Sequence, residues 1–345
     1  MFEAILTLCL AAAPETCRDR LLPGYEAPTE AACRAALQDT APGMTPAHLI
    51  ASGPECRPVA AALEVTEVAP GVFAHAGQIA EPDADNRGDV GNAGFVIGAT
   101  GVAVIDTGTA PWMGEALWRA IRARTDLPVR HVILTHMHPD HVFGAGVFER
   151  AGARVWGHAN LPRALADRQA NYLESLRASL GAAAFVDASA PTITDPVTDR
   201  AEIDLGGRIL VLRARPVAHT GNDLTVLDPS TRTVFAGDLV FDGHIPALDG
   251  SLRGWRALLA DLQGMDFARV VPGHGGPSLP WPAGADPLVR YLEVLERETR
   301  AALDAGARLS DAVRSVAQGE AVRWALFDAY NPRNVTVAFT ELEWE

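Results

Sequence analysis

The feature that most constrains this chain is the segment 136–141, which reads HMHPDH and so places three histidines and one aspartate within six residues. The preceding residues 129–134 are mostly apolar and β-branched, which predicts a buried strand. The following residues 142–146 predict the start of a helix. The four polar side chains therefore occupy a strand-to-helix loop, where a rigid scaffold commonly presents functional groups. Imidazole and carboxylate groups suit a divalent metal such as zinc, so the segment predicts a metal site.

Three later segments place further ligand-type side chains just past short apolar strands. They are His219 after residues 209–212, Asp238 after residues 233–234, and His274 after residues 270–271. Side chains at several strand ends can meet at one edge of a sheet. The chain has ten histidines in 345 residues, so chance seldom produces such clustering.

In this order, the segments resemble the metallo-β-lactamase superfamily over residues 63–282. The resemblance implies an α/β fold, a four-layer αβ/βα sandwich with the metals in a cleft at one edge. It assigns the first metal to His136, His138 and His219, the second metal to Asp140, His141 and His274, and a bridging position to Asp238. Asp106 follows an apolar strand at 101–105 and would orient a ligand, although an aspartate there is equally typical of a strand-end turn.

The same resemblance implies a dinuclear zinc hydrolase. A metal-bridging hydroxide would attack an activated carbonyl, such as a thioester, a lactone or a similar ester. Asp238 would restrain the hydroxide and Asp140 could accept a proton, which makes both candidate catalytic residues. His244 and Asp249 follow Asp238 closely and are candidate substrate contacts, with a position on the surface as the alternative.

Two other functions use the same ligands. A mononuclear iron sulfur dioxygenase of this superfamily reuses part of the set, and a non-catalytic metal-binding accessory protein needs no substrate. A true β-lactamase is disfavoured, because the efficient lactamases of the family lack an aspartate equivalent to Asp238.

A narrower resemblance is to the SoxH-related quinoprotein relay system zinc metallohydrolases. It depends on residues 241–250, on the cysteine-bearing N-terminal segment, and on the ending that runs from Asn334-Val335-Thr336 to Glu341 and beyond. The resemblance implies a functional link to periplasmic quinoprotein dehydrogenases.

Composition excludes several other functions. All 29 basic residues are arginine, so Schiff-base catalysis and a Walker-type phosphate loop, which need lysine, are excluded. The net charge of −14 disfavours nucleic-acid binding and with it the nuclease branches of the superfamily.

The N-terminus and the cysteines indicate the compartment. Residues 1–13 contain a short apolar run and small residues typical of a signal peptide, although Glu3 is atypical of one. All four cysteines lie within the first 56 residues. If Cys9 is removed, Cys17 pairing with Cys33 is the favoured disulfide, and a pairing of either with Cys56 stays open. These features predict a periplasmic protein; the alternative is a cytoplasmic protein with free thiols.

The chain divides into four predicted parts. They are a signal peptide at 1–13, an extension at 14–62 with one helix near 30–38, the main domain at 63–285, and a helical segment at 286–345. The polar, glycine-rich loop at 86–92 could flank the metals or serve as a plain connector. No apolar run is long enough to span a bilayer.

Overall fold

The computed structural model describes residues 1–39 and 49–344. A small N-terminal sheet consists of β1 (Phe2–Leu10), β2 (Ala13–Ala27) and β3 (Leu49–Pro58). A second sheet consists of β4 (Thr66–Ala69), β5 (Val72–His75), β6 (Ala93–Ile97), β7 (Val102–Ile105), β8 (Val129–Ile133), β9 (Arg154–His158) and β10 (Asp195–Val197). A third sheet consists of β11 (Arg200–Asp204), β12 (Ile209–Ala214), β13 (Leu224–Asp228), β14 (Thr233–Phe241), β15 (Arg269–His274) and β16 (Leu279–Pro280). The α-helices are α1 (Glu30–Asp39), α2 (Pro111–Arg122), α3 (Pro139–Val142), α4 (Gly146–Arg150), α5 (Leu161–Leu180), α6 (Leu252–Gln263), α7 (Asp286–Asp304), α8 (Leu309–Ser315) and α9 (Phe327–Leu342).

The second and third sheets pack face to face. Buried side chains of the second sheet, among them Val96 and Ile133, share one hydrophobic cluster with Leu212, Val226 and Phe235 of the third sheet. Burial of such side chains is the main favourable contribution to folding. The cluster is therefore the central layer of a β-sandwich.

Helices cover the outer face of each sheet. Leu117 of α2 and Leu165 of α5 are buried with residues of the second sheet. Trp255 of α6, Leu292 of α7 and Val335 of α9 are buried with residues of the third sheet. The predicted four-layer αβ/βα sandwich is confirmed. No helix within residues 1–39 and 49–344 has both the length and the apolar character needed to cross a membrane.

The prediction for the N-terminal region was incomplete. The helix near 30–38 is present as α1, but residues 14–62 also contribute β2 and β3. Residues 1–13, predicted as a signal peptide, form the central strand β1 and the turn that leads to β2. The signal peptide stays a prediction, and its excision would remove the strand with which both β2 and β3 pair.

The favoured Cys17–Cys33 disulfide was wrong. Cys17 bonds to Cys9, and Cys33 bonds to Cys56. Strand register is the physical reason, since Cys9 and Cys17 are direct partners across the β1–β2 pair. Cys33, on α1, is then left with Cys56 on β3. Two disulfides indicate a non-reducing compartment.

The first strand is tied to the sandwich by a buried ion pair. Glu3 is 1% exposed, and its carboxylate accepts hydrogen bonds from Arg119 Nε at 2.8 Å and Arg119 Nη2 at 2.9 Å. The same carboxylate accepts a hydrogen bond from the Ala60 amide. Arg119 lies on α2, so the acidic residue that is atypical of a signal peptide joins the N-terminal sheet to the main core.

Replacing Glu3 should therefore destabilise the protein strongly. We expect Glu3→Ala to lower the free energy of unfolding by about 3–5 kcal/mol, because it leaves the Arg119 guanidinium buried without its partner. Chemical denaturation would measure the loss. Arg57→Ala is the control, since its ion pair with Asp19 is largely exposed and should contribute only about 0–1 kcal/mol. Equal losses for the two variants would contradict the assignment.

Candidate metal centre

The seven predicted ligand side chains come from four places in the fold. The segment 136–141 occupies the loop that follows β8 and the first part of the short helix α3. His219 lies between β12 and β13. Asp238 lies within β14, every residue of which is buried, and His274 is the last residue of β15. Because β14 and β15 are parallel neighbours, their polar side chains reach the same edge of the sandwich.

The structure brings these side chains together in two groups that could each hold a metal ion. The first group is His136, His138, His219 and Asp238, and the second is Asp140, His141 and His274. The first set is group one and the second set is group two.

In group one, three ring nitrogens converge. His138 Nδ1 lies 3.1 Å from His136 Nε2 and 3.0 Å from His219 Nε2. Asp238 Oδ2 lies 3.6 Å from His136 Nε2 and 3.4 Å from His219 Nε2. Ligands of a tetrahedral zinc ion, each about 2.0–2.1 Å from the metal, are separated by about 3.3–3.4 Å. The spacing in group one is close to that value.

Group two shares Asp238 with group one. His274 Nε2 lies 3.2 Å from Asp140 Oδ2 and 3.4 Å from Asp238 Oδ2. His141 Nε2 lies 3.4 Å from Asp140 Oδ2 and 3.2 Å from Asp238 Oδ1. The Asp238 carboxylate therefore stands between the groups, with Oδ2 toward both and Oδ1 toward His141.

Hydrogen bonds on the far side of each ring set its tautomer. His219 Nδ1 donates to the Ala247 carbonyl at 2.6 Å, and His274 Nδ1 donates to the Val90 carbonyl at 2.9 Å. Since a neutral imidazole has one donor and one acceptor nitrogen, Nε2 of each ring in its neutral form directs a lone pair into the site. His138 uses the opposite nitrogens, because its Nε2 donates to Asp249 Oδ2 at 3.2 Å.

Asp106 sets the tautomer and orientation of the other two rings, those of His141 and His136. It accepts hydrogen bonds from His141 Nδ1 at 3.0 Å and from the amide and hydroxyl of Thr135, each at 2.8 Å. The Thr135 hydroxyl in turn accepts from His136 Nδ1 at 3.0 Å. Asp106 has a φ of 55°, in the left-handed region that aspartate tolerates better than most residues. Its carboxylate thus orients one ring of each group, as the predicted ligand-orienting role requires.

The two groups differ in charge. Burial lowers the pKa of His219 to about 3 and holds the pKa of His136 well below its usual value, so both rings are neutral. Burial also disfavours the charged form of His274, but Asp238 and Asp140 together raise its pKa to about 10. Burial is likewise outweighed at Asp238, where the surrounding histidines hold the carboxyl pKa well below its usual range. A metal cation bound in group two would therefore compete with a proton at His274.

Two atoms of the site test whether a metal fits these residues. His141 Nε2 and Asp238 Oδ1 are buried and lie 3.2 Å apart, but neither has a partner in hydrogen-bond geometry. Buried polar atoms without partners are costly and rare. The ring lone pairs that face one another at about 3 Å would also repel, unless a cation lies between them. The donor set, with nitrogen and oxygen atoms only, suits zinc or another borderline divalent ion.

The site opens into a cleft of about 620 Å³. The two predicted substrate contacts both line it, but both are engaged by the protein. Asp249 accepts the hydrogen bond from His138 and also pairs with Arg168 of α5 at 2.5 Å. His244 is 3% exposed, and its ring packs against those of His274 and Tyr330. The alternative of a surface position is thus wrong for His244.

Several residues of the site were missed by the sequence analysis. Thr135 and Arg168 contact the residues that orient the ligands, and Tyr330 and Arg333 of α9 line the cleft. Among these missed residues, only Thr135 had a sequence signal that could have indicated its role, namely its position beside His136. The loop at 86–92 does flank the site, through the carbonyl that accepts from His274.

A model of the metallo-beta-lactamase superfamily matches residues 86–274, more than half of the chain, and the chain therefore belongs to that superfamily. The metallo-beta-lactamase domain-containing protein 1 of Xenopus laevis is 26% identical over 185 residues, which are 50% of this chain and 66% of that protein. The chain thus spans just under two thirds of the length of that relative.

Two solved structures illustrate the shared fold. A metallo-beta-lactamase from Pontibacter korlensis is 23% identical, with a TM-score of 0.54, and the match covers 67% of this chain and 99% of that one. A stereoselective inverting sec-alkylsulfatase from a Pseudomonas species is 14% identical, with a TM-score of 0.62, over 81% of this chain and 50% of that one. The chain therefore spans half the length of the alkylsulfatase.

The loop at 86–92 should contribute stability that depends on pH. His75 Nε2 bonds to Asp89 of this loop at 2.7 Å, and Nδ1 bonds to the Glu64 carbonyl at 2.8 Å. Burial opposes protonation of His75, but Asp89 outweighs it and raises the pKa. A raised pKa stabilises the folded state fully below the unfolded value of about 6.5, and the contribution is lost as pH rises through the folded pKa.

We therefore expect His75→Gln to lower the free energy of unfolding more at pH 6 than at pH 9. Denaturant titrations of both proteins at the two pH values would measure the difference. A loss that is equal at both pH values, or larger at pH 9, would contradict this role.

Proposed function

We propose that the chain is a dinuclear zinc hydrolase that acts on activated carbonyls such as thioesters and lactones. The observation that carries this proposal is the position of the Asp238 carboxylate between two ligand groups. Two divalent metals supply a water-derived nucleophile at neutral pH and stabilise developing negative charge. Both solved relatives named above are hydrolases by name, which supports the reaction class.

Within this proposal, each polar residue has a separate task. His136, His138 and His219 hold the first metal, Asp140, His141 and His274 hold the second, and Asp238 bridges them. Asp106 and Asp249 keep the rings in the tautomer that binds metal. Asp140 is the candidate proton acceptor, because its side chain lines the cleft.

The cleft favours a substrate with an apolar body and an anionic end. Leu176, Phe241 and Val337 contribute apolar wall, and Arg333 is the sole arginine among the cleft-lining residues. The guanidinium lies over the Tyr330 ring at 5.4 Å. Arginine remains charged at all relevant pH values, and its planar group fits a carboxylate. We infer that Arg333 binds a carboxylate or similar anion on the substrate.

The first test is metal content. The purified protein should hold about two zinc ions per chain, as two-metal hydrolases do. His138→Ala and His274→Ala should each lose about one equivalent, because each removes a ligand of a different metal. His131→Ala is the control, since His131 bonds to Trp156 away from the site. A single tightly bound metal that Asp238→Ala does not weaken would overturn the dinuclear assignment.

The second test is turnover. The zinc-loaded protein should hydrolyse members of a thioester and lactone panel under anaerobic conditions, and acyl groups that end in a carboxylate should give a higher kcat/KM than neutral ones of equal length. His138→Ala and His274→Ala should both be inactive. Turnover that requires iron and oxygen would favour the dioxygenase reading, and no turnover by a metal-replete protein would favour an accessory role.

We further propose a periplasmic location and keep the functional link to quinoprotein dehydrogenases as a prediction. The two disulfides support an oxidising compartment. Recovery of the protein from the cytoplasmic fraction with all four cysteines reduced would reject this location.

A further inference from the structure

Asn334 of α9 is a buried asparagine whose polar atoms all have partners. It is 1% exposed. Its Oδ1 accepts a hydrogen bond from the Leu248 amide at 2.9 Å, and its Nδ2 donates to the Pro246 carbonyl at 2.7 Å and to the Tyr291 hydroxyl at 2.9 Å. The side chain thus holds residues 246 and 248 from one point on the helix.

The short segment that Asn334 holds is the one that orients two ligands of group one. The Ala247 carbonyl accepts from His219 Nδ1, and the Asp249 carboxylate accepts from His138 Nε2. The Asp249 amide also donates to the His219 carbonyl at 3.0 Å. Residues 246–249 therefore alternate between contacts to Asn334 and contacts to the two histidines.

The same helix holds the residues that follow. Glu341 lies seven positions after Asn334, on the same face of a helix. Its carboxylate accepts from the Ser251 hydroxyl and from the Leu252 amide, each at 2.7 Å. Asn334 and Glu341 together fix the course of residues 246–252 over the metal centre. These contacts give a structural role to two residues of the chain ending that was quoted in the narrower family resemblance.

We propose that Asn334 is a positioning residue for the metal centre, and that it acts on His138 and His219 through the segment 246–249. The proposal rests on the ligand roles proposed above. Removing a group that orients metal ligands typically lowers metal affinity by about 10–100-fold. Asn334→Ala should therefore weaken the first metal while leaving every ligand in place.

Asn331, one turn earlier on α9, provides a matched control. It is 0% exposed, and its polar atoms bond to the Tyr291 hydroxyl and the Val316 carbonyl, but neither bond reaches the segment 246–249. We expect Asn331→Ala and Asn334→Ala to lose similar thermal stability. Asn334→Ala alone should lower the affinity for zinc, measured by chelator competition, by at least about tenfold. It should also change the visible absorption of the cobalt-substituted protein.

Unchanged zinc affinity and an unchanged cobalt spectrum in Asn334→Ala would overturn the proposal, as would equal losses of affinity in both variants. If wild-type protein does not bind zinc, the proposed function fails instead. Should Asn334→Ala not fold, hydrogen exchange in the wild type decides the question. Zinc loading should slow exchange of the Leu248 amide while leaving the Ala317 amide, which bonds to Glu298, unchanged. No slowing at Leu248 would reject the coupling.

Discussion

The candidate metal centre depends on one constraint: five imidazoles and two carboxylates must keep their lone pairs pointed at the same small volume. Without cations the ring lone pairs repel one another, and the neighbouring carboxylates raise the pKa of His274. The surrounding protein opposes that repulsion through the hydrogen bonds behind each ring. The candidate site therefore lowers the stability of the folded protein, and the large hydrophobic clusters of the sandwich offset that loss.

These orienting bonds explain why so much of the chain is arranged around one edge. Asp106, just after β7, and the Val90 carbonyl, in the loop before β6, orient rings from the side of the second sheet. Residues 247 and 249 serve from the segment between β14 and α6, and α9 holds that segment in turn. The C-terminal helices are thus structurally continuous with the site, although the sequence analysis treated residues 286–345 as a separate part.

The positions of the candidate ligands and of the main strands were predictable because their signals are local. The HMHPDH segment, and short apolar runs that end in His219, Asp238 or His274, each identify a position without knowledge of its neighbours. The N-terminal sheet was not predictable, since β1 has the composition of a signal peptide and β2 is charged and contains a proline. Disulfide pairing depended on the register of those strands. Helix α9 falls inside the predicted helical segment 286–345, but its bounds were not predicted, because Pro332 lies inside it.

The groups that orient the histidine rings are of two kinds, side-chain groups and main-chain carbonyls, and they respond differently to mutation. Asp106, Thr135 and Asp249 act through side chains, so a single codon change can remove each of them. The groups contributed by Val90 and Ala247 are main-chain carbonyls, and these persist whatever side chain stands at the position. Among distant homologues, residues 90 and 247 are therefore free to drift in identity while the loops that carry them keep their path. A search for these orienting groups by residue identity would find only three of the five, whereas a search by backbone position would find all of them.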